Sequence, residues 1–110
     1  MKLSTVIETL VVRPLWDGWE DRDVKGGYTS DLLSDVMANA TEDEILITIQ
    51  AHKNTIAVAQ LKDMAAVLIC SNRPVDEAML STAQEENIPI LITSDNQYTA
   101  SYKLHQALSQ

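Results

Sequence analysis

The chain has 110 residues, enough for one compact domain, and we expect a single domain over residues 1–110. Apolar residues make up 45% of it, yet no run approaches the roughly 18 apolar residues that a membrane span requires. The net charge of −8, without a cluster of Lys and Arg, argues against nucleic acid as a partner. The N-terminus lacks the apolar stretch of a secretory signal and the lone Cys70 cannot form an internal disulfide, so we expect a cytoplasmic protein without a membrane partner.

The first third of the chain predicts a helix, a loop, a strand and a second helix. Apolar residues at Leu3, Val6, Ile7 and Leu10 have the spacing of an amphipathic helix. Residues 13–21 contain Pro, an Asp-Gly pair and charges, which indicates irregular structure or a hairpin-like turn. Residues 24–29 predict a strand, followed by a helix that Thr29 or Ser30 caps. The apolar side chains expected on the inner face of that helix are Leu32, Leu33, Val36, Met37 and Ala40.

Three further strands alternate with helices. Residues 45–49, 66–70 and 88–93 are nearly continuous apolar runs, which is typical of strands covered on both faces. The helix after the first run is expected to start at Asn54, with Val58 and Leu61 turned inward.

The last two helices carry their own end signals. The helix over residues 74–87 is expected to end with Asn87 in the left-handed conformation, and Asp95 is expected to cap the final helix. The alternation predicts an α/β fold with three layers, in which a largely parallel sheet is flanked by helices on both faces.

Short polar segments follow each predicted strand. The carboxyl ends of parallel strands meet at one edge of a sheet, and ligands bind there, near a switch in strand order. Helix N-termini at this edge would favour a phosphate, a carboxylate or an amide-rich ligand. The alternative is that these residues only cap helices and tie loops together. The candidate ligand-binding residues are Thr29, Ser30, Asp31, Gln50, His52, Asn54, Ser71, Asn72 and Ser94.

Sequence motifs for nucleotide hydrolysis and metal binding are not found. Gly26 and Gly27 precede a helix, but neither phosphate-binding glycine motif is present, so we expect a kinked strand or close packing there. Asp31 and Asp35 lie one helical turn apart without a third carboxylate at matching spacing. We predict no metal and no cofactor.

No catalytic constellation can be assembled from the sequence either. His52 and His105 lack partners at the spacing of zinc ligands, and Cys70 ends an apolar strand, where a thiol is usually buried. No serine lies in a nucleophile-elbow motif. We therefore predict that the protein is not an enzyme. Trp16 and Trp19 in the 13–21 loop either close the core beneath it or form an exposed anchor for a partner.

Two segments carry a family resemblance. Residues 21–38 read Asp-Arg-Asp-Val-Lys-Gly-Gly-Tyr-Thr-Ser-Asp-Leu-Leu-Ser-Asp-Val-Met-Ala, and residues 48–54 read Thr-Ile-Gln-Ala-His-Lys-Asn. Together with residues 88–91 and the closing helix, they make the chain resemble a DRTGG domain. The resemblance implies a fold similar to the N-terminal domain of HPr kinase/phosphorylase, a module also found in CBS-domain pyrophosphatases and phosphotransacetylases. It further implies roles in subunit association and small-ligand sensing, without the kinase P-loop domain that transfers phosphate.

Three functions follow as hypotheses. The first is a homodimeric, non-catalytic regulatory or ligand-sensing module with a nucleotide or phosphate-type ligand at the carboxyl edge. The second is a structural adaptor that docks onto a partner enzyme through the Trp loop or an exposed helix. The third is a small enzyme that uses His52 with Asp31 or Asp35.

Overall fold

The computed structural model describes all residues, Met1–Gln110, as five strands and five helices. The strands are β1 (Arg13–Pro14), β2 (Gly26–Thr29), β3 (Glu44–Thr48), β4 (Ala66–Ile69) and β5 (Ile90–Ile92). The helices are α1 (Leu3–Leu10), α2 (Leu33–Asn39), α3 (Lys53–Leu61), α4 (Glu77–Glu86) and α5 (Gln97–Leu108). No helix has the length and apolar character needed to cross a membrane.

The strands form a single sheet in the order β1-β5-β4-β3-β2. Strands β2 to β5 are parallel and adjacent in chain order, whereas β1 runs antiparallel to β5, with Arg13 opposite Ile92. The predicted α/β fold with a largely parallel sheet is confirmed. The short strand β1 was not predicted, because Pro14 cannot donate a backbone hydrogen bond and is tolerated only at an edge such as this one.

Helices cover both faces of the sheet. Because β2 to β5 follow one another with crossovers of one hand, α2, α3 and α4 lie on the same face. Their core includes Val36, Ile56 and Met79. Helices α1 and α5 cover the other face, where Leu3 and Leu104 are buried. The parallel strands show no reversal of order, so the crevice expected at a switch in strand order is not what assembles the carboxyl edge.

Several helix ends differ from the predicted ones. Helix α2 begins after Leu32 without a side-chain cap, His52 caps α3 instead of Asn54, and Asn96 caps α5 instead of Asp95. In each helix the first turn is set by where the loop can reach after its strand, and neighbouring capping residues compete for that position. Asp95 instead forms an ion pair with Lys103 at 2.7 Å.

Some side chains expected in the core are exposed. They are Leu32, Met37 and Leu61. The buried face of α2 is formed by Val36, and that of α3 by Thr55, Ile56 and Ala59, so these three positions lie off the inner faces of their helices. The left-handed end of α4 at Asn87 is confirmed, with φ of 57°.

The Trp loop closes the core. The Trp16 indole donates a hydrogen bond to the Ile88 carbonyl at 3.1 Å, and the Trp19 indole donates one to the Trp16 carbonyl at 2.8 Å. Both indoles are half-buried, and Trp19 packs against the core beneath α1 and α5. The alternative of an exposed tryptophan anchor is therefore wrong.

Candidate functional site

The structure places all nine predicted site residues at the carboxyl edge of the sheet. Each of the four loops that carry them follows one of the parallel strands β2 to β5. The loops differ in how firmly their side chains are held. A locked group near β2 and β3, made of Thr29, Ser30, Asp31 and His52, has hydrogen-bond partners within the chain. An open group near β4 and β5 is made of Ser71, Asn72 and Ser94, and Gln50 and Asn54 after β3 are also exposed.

Asp31 organises the locked group. Its Oδ1 accepts hydrogen bonds from Thr48 Oγ1 at 2.8 Å, from the Ile49 amide at 2.9 Å and from Gln97 Nε2 at 3.0 Å. One carboxylate oxygen thus joins the ends of β2 and β3 to the start of α5. Asp31 precedes α2 but does not cap it, since its carboxylate accepts from residues at the end of β3 and the start of α5.

The same contacts determine the charge state of Asp31. Its burial, taken alone, would raise the pKa of the carboxyl group. The Ile49 amide and the Thr48 and Gln97 side chains outweigh that effect, because they donate to the ionised form. Arg73 adds a favourable charge, and the pKa of Asp31 lies below its usual range.

Three other predicted residues of the locked group also have partners within the chain. Thr29 Oγ1 lies 2.7 Å from Ser101 Oγ, and Ser30 Oγ accepts from the Leu32 amide at 3.2 Å. His52 Nδ1 accepts from the Asn54 amide at 3.1 Å and so serves as the N-cap of α3. The contacts of these three residues match the alternative given above, in which such residues cap helices and tie loops together.

The open group surrounds a strained turn between β4 and α4. Ser71 and Asn72 are consecutive left-handed residues, with φ of 59° and 52°, and the Arg73 amide donates to the Cys70 carbonyl at 3.3 Å. Left-handed backbone costs about 1–2 kcal/mol for most residues other than glycine, and Asn tolerates it best. The turn is held by the Ser71 amide, which donates to the Asp95 carbonyl at 2.8 Å, and by the Asn72 amide, which donates to the Thr93 carbonyl at 3.1 Å.

Exposed polar side chains remain around this edge. Those of Gln50, Asn54, Ser71, Asn72 and Ser94 point to solvent and take no part in the hydrogen bonds described above. Asn72 and Ser94 also line a small cleft beside β5. The carboxyl edge therefore offers free donors and acceptors in the loops after β4 and β5 and, through Gln50 and Asn54, after β3.

Metal binding by Asp31 and Asp35 has no geometric basis. Asp35 Oδ2 accepts from the Tyr28 hydroxyl at 2.9 Å, and Asn39 Nδ2 donates to Asp35 Oδ1 at 2.9 Å, so the two carboxylates belong to separate networks. The Tyr28 hydroxyl is the main cause that lowers the pKa of Asp35. No group of three or more His, Cys, Asp or Glu side chains is placed to hold a metal ion.

Cys70 is unsuited to nucleophilic chemistry. Its side chain is buried at the end of β4, and burial, followed by the charges of Asp95 and Asp31, raises the pKa of the thiol to about 11. At neutral pH almost none of it is thiolate.

Sequence reasoning missed three residues at this edge. Gln97 completes the Asp31 network, and Arg13 and Arg73 line a cleft next to the strained turn. Arg73 directly follows Ser71 and Asn72, so its position in the polar segment after β4 was the available signal. Arg13 carried none, because the segment that contains it was interpreted as a loop.

Comparison with known proteins identifies the family. The sequence profile of the DRTGG domain matches residues 28–107, which is well over half of the chain. The chain belongs to the DRTGG domain family. No curated protein sequence matches it.

A solved structure resembles this DRTGG domain over nearly its whole length. It is the crystal structure of the CBS and DRTGG domains of the regulatory region of Clostridium perfringens pyrophosphatase, complexed with its activator diadenosine tetraphosphate. The match covers 96% of this chain with a TM-score of 0.73 and 14% sequence identity. The chain covers 46% of that structure, less than half of its length. At this identity the similarity establishes the shared fold.

Asp21 and Arg22, which precede the matched range, have structural partners in this DRTGG domain. Asp21 accepts from the Ser4 amide at 2.9 Å and from Ser4 Oγ at 2.6 Å. Arg22 forms ion pairs with Asp43 and Asp63, which follow α2 and α3. These contacts attach the segment before β2 to α1 and to the amino edge of the sheet, opposite the candidate site.

Proposed function

We propose that this DRTGG domain is a non-catalytic regulatory module that senses a small ligand of the nucleotide or phosphate type at the carboxyl edge of its sheet. The observation that carries the proposal is the contrast within that edge. Asp31 ties the ends of β2 and β3 to α5, while the loops after β4 and β5 present exposed polar groups around a strained turn. Strained backbone persists where the surroundings enforce it, and it concentrates at binding sites.

The fold comparison supports the regulatory part of the proposal. The DRTGG domain of the Clostridium perfringens pyrophosphatase lies in a regulatory region that was crystallised with an activator nucleotide. A module of the same fold with an open polar edge is suited to a similar task. Residue chemistry supports the non-catalytic part, since His52 is engaged as a helix cap and the Cys70 thiol is buried.

A thermal-shift panel of nucleotides, inorganic phosphates and sugar phosphates tests ligand sensing. A ligand present at 100 times its Kd adds about 2.7 kcal/mol to the free energy of unfolding. In a domain of this size that raises Tm by roughly 10 °C or more. An unchanged Tm across the whole panel would remove the sensing proposal and leave the adaptor as the remaining function.

We further propose that the module is a homodimer that pairs through the outer face of α5. Residues 97–110 contain no Asp or Glu, although the chain has 16 acidic residues and a net charge of −8. On this face Tyr98 is 83% exposed and Tyr102 is 50% exposed, beside an open groove of about 1010 Å³. Two copies of an acidic chain repel each other least where carboxylates are absent, and tyrosines are enriched at interface centres.

Sedimentation velocity across a range of protein concentrations tests the pairing. Tyr98→Glu should shift the protein toward monomer, because it places a charge in the interface of both subunits at once. Leu61→Glu is the matched control, since Leu61 is an exposed apolar residue on α3, on the other face of the sheet. A wild type that stays monomeric, or a dimer that only Leu61→Glu dissociates, would contradict the assignment.

The adaptor hypothesis is weaker in one of its two forms. The Trp loop is poorly suited to docking, because Trp16 and Trp19 are half-buried and their indole groups donate to backbone carbonyls. Docking through an exposed helix would use the same face of α5. In that case the protein would be monomeric alone and would bind no compound of the panel.

A further inference from the structure

Two arginines line one cleft at the β1 side of the carboxyl edge. The cleft has a volume of about 390 Å³ and lies between the β1–β5 edge and the loop that leads to α4, with Arg13 and Arg73 in its lining. An adjoining cleft of about 230 Å³ shares Arg13 and Asn72 and adds Thr93 and Ser94. The two clefts form a continuous surface at the end of β5.

The charge of this surface is opposite to that of the protein. Four of the eight basic residues, Lys2, Arg22, Lys25 and Lys103, form ion pairs with carboxylates. Arg13 and Arg73 form none, and no carboxylate lines either cleft. Arg73 influences the Asp31 carboxylate without forming an ion pair with it. Two acidic residues close in sequence to this surface have partners elsewhere. Asp95 pairs with Lys103 and Asp76 caps α4. Two free guanidinium groups in a carboxylate-free cleft attract an anion.

Both arginines come from backbone that is fixed independently of a ligand. Arg13 is in β1, where it pairs with Ile92 of β5. Arg73 follows the strained turn, which the backbone bonds of Ser71 and Asn72 tie to the loop after β5. The backbone of both arginines therefore lies at a defined position beside the cleft, and a ligand has to order only the two side chains.

The remaining lining indicates the chemical class of the anion. A guanidinium group matches the geometry of phosphate oxygens through paired hydrogen bonds. Asn72, Thr93 and Ser94 add amide and hydroxyl donors, and Leu15 and Val75 provide a half-buried apolar wall. The volume is at the lower end of the range for small-molecule sites, which suits a metabolite rather than a polymer.

We infer that the cleft between Arg13 and Arg73 binds the phosphate group of a small phosphate-bearing metabolite, with the apolar part of that metabolite against Leu15 and Val75. This inference rests on the proposed function, since it names the ligand class and the part of the carboxyl edge that receives it. Of the nine predicted site residues, Asn72 and Ser94 belong to the cleft. Thr29, Gln50, His52 and Asn54 do not line it.

A ¹H–¹⁵N NMR titration that observes both backbone amides and arginine Nε–H groups tests the inference. The probes are inorganic pyrophosphate and AMP, with citrate as an anion that lacks phosphate, all at constant ionic strength. Saturable shifts are expected for Asn72, Ser94 and the Nε–H groups of Arg13 and Arg73. The Nε–H of Arg22, which is held by Asp43 at the opposite edge, should not move.

Charge-neutralising variants make the test quantitative. Arg13→Gln and Arg73→Gln should each weaken pyrophosphate binding about tenfold or more, the usual loss when a charged hydrogen-bonding partner is removed. Lys62→Gln removes the same charge at the end of α3, on the opposite edge, and should change affinity less than about twofold, the residual long-range charge effect. Both arginines are exposed, so the variants should keep the wild-type circular dichroism spectrum.

The outcomes separate this inference from the proposed function. Phosphate compounds that shift Gln50, His52 and Asn54 and bind the arginine variants with wild-type affinity would overturn the inference but keep ligand sensing. Equal binding of citrate and pyrophosphate, weakened equally by Lys62→Gln, would show unspecific charge attraction and would also overturn it. No saturable shift with any probe, together with no stabilisation in the thermal panel, would refute both.

Discussion

The two adjacent glycines of β2 form a matched pair for testing how closely α5 packs on the sheet. A Cβ atom at Gly27 would lie 2.7 Å from Leu104 Cδ2, whereas one at Gly26 would lie 3.6 Å from Glu44 Oε2. Neither glycine has a positive φ, so alanine can adopt the backbone conformation at both positions. Any difference in stability between Gly27→Ala and Gly26→Ala therefore reports the contact with Leu104.

The expected loss follows from the burial of Leu104. This side chain is 1% exposed, so it can yield to a new methyl group only by displacing its neighbours in the core. Overpacking of this kind lowers the free energy of unfolding by about 1–3 kcal/mol. Replacing Gly by Ala also reduces the conformational entropy of the unfolded chain, which offsets about 0.4–1 kcal/mol of that loss. We expect Gly27→Ala to lower the free energy of unfolding by about 1–2 kcal/mol. Gly26→Ala should leave it unchanged or raise it slightly.

A double-mutant cycle isolates the contact. Leu104→Ala alone should cost about 2–5 kcal/mol, but in that background Gly27→Ala should cost nothing, since the clashing methyl groups are gone. Urea unfolding followed by circular dichroism, at one fixed protein concentration to hold any dimerisation constant, gives the four free energies. The reasoning is refuted if Gly27→Ala is as stable as Gly26→Ala, or if its cost is the same with and without Leu104.

Three further expectations concern single positions. Because the folded pKa of Asp31 is depressed, its stabilisation is fully present above the unfolded pKa of about 3.9 and is lost as pH falls through the lower folded value. Urea midpoints of the wild type should thus fall more steeply than those of Asp31→Asn on acidification, and parallel curves would disprove this. The Cys70 thiol, with its pKa raised to about 11, should react with a thiol reagent at pH 8 at least about 100-fold more slowly in the folded protein than in urea. Comparable labelling rates would show that the thiol is accessible. Val11 has a φ of 55° and is 87% exposed, so Val11→Gly should stabilise the protein by roughly 0.5–1 kcal/mol. Asn87→Gly is the control and should change stability little, because Asn tolerates this conformation. If Val11→Gly lowered the free energy of unfolding by as much as Asn87→Gly, or by more, the strain argument would be contradicted.

Local sequence patterns were sufficient to predict those strands and helix ends that depend on neighbouring residues alone. Residues 45–49 and 66–70 predict buried strands because a strand covered on both faces must be apolar at every position, and β3 and β4 lie there. Asn87 predicts the end of α4 because few residues accept a left-handed φ. The Gly-Gly pair predicts a close approach, which the structure shows between Gly27 and Leu104.

The grouping of the candidate residues at one edge of the sheet was predictable, whereas their hydrogen-bond partners were not. Parallel strands bring every loop after a strand to one edge, so residues as far apart as Thr29 and Ser94 share that edge. Which of them are free depends on partners that are distant in sequence. Gln97 reaches Asp31 across 66 positions, and His52 rather than Asn54 caps α3.

By itself, the sequence determined the α/β class, the buried strands and the family, because burial, chain alternation and family motifs leave patterns that are readable from neighbouring residues. Only the tertiary structure decided that Asp31 joins β2 and β3 to α5, that Trp19 packs against the core and that Arg13 and Arg73 line one cleft. The physical reason is that hydrogen-bond partners and charge pairs form between side chains that folding brings together, and a contact between β1 and the loop after β4 has no signature at either position alone.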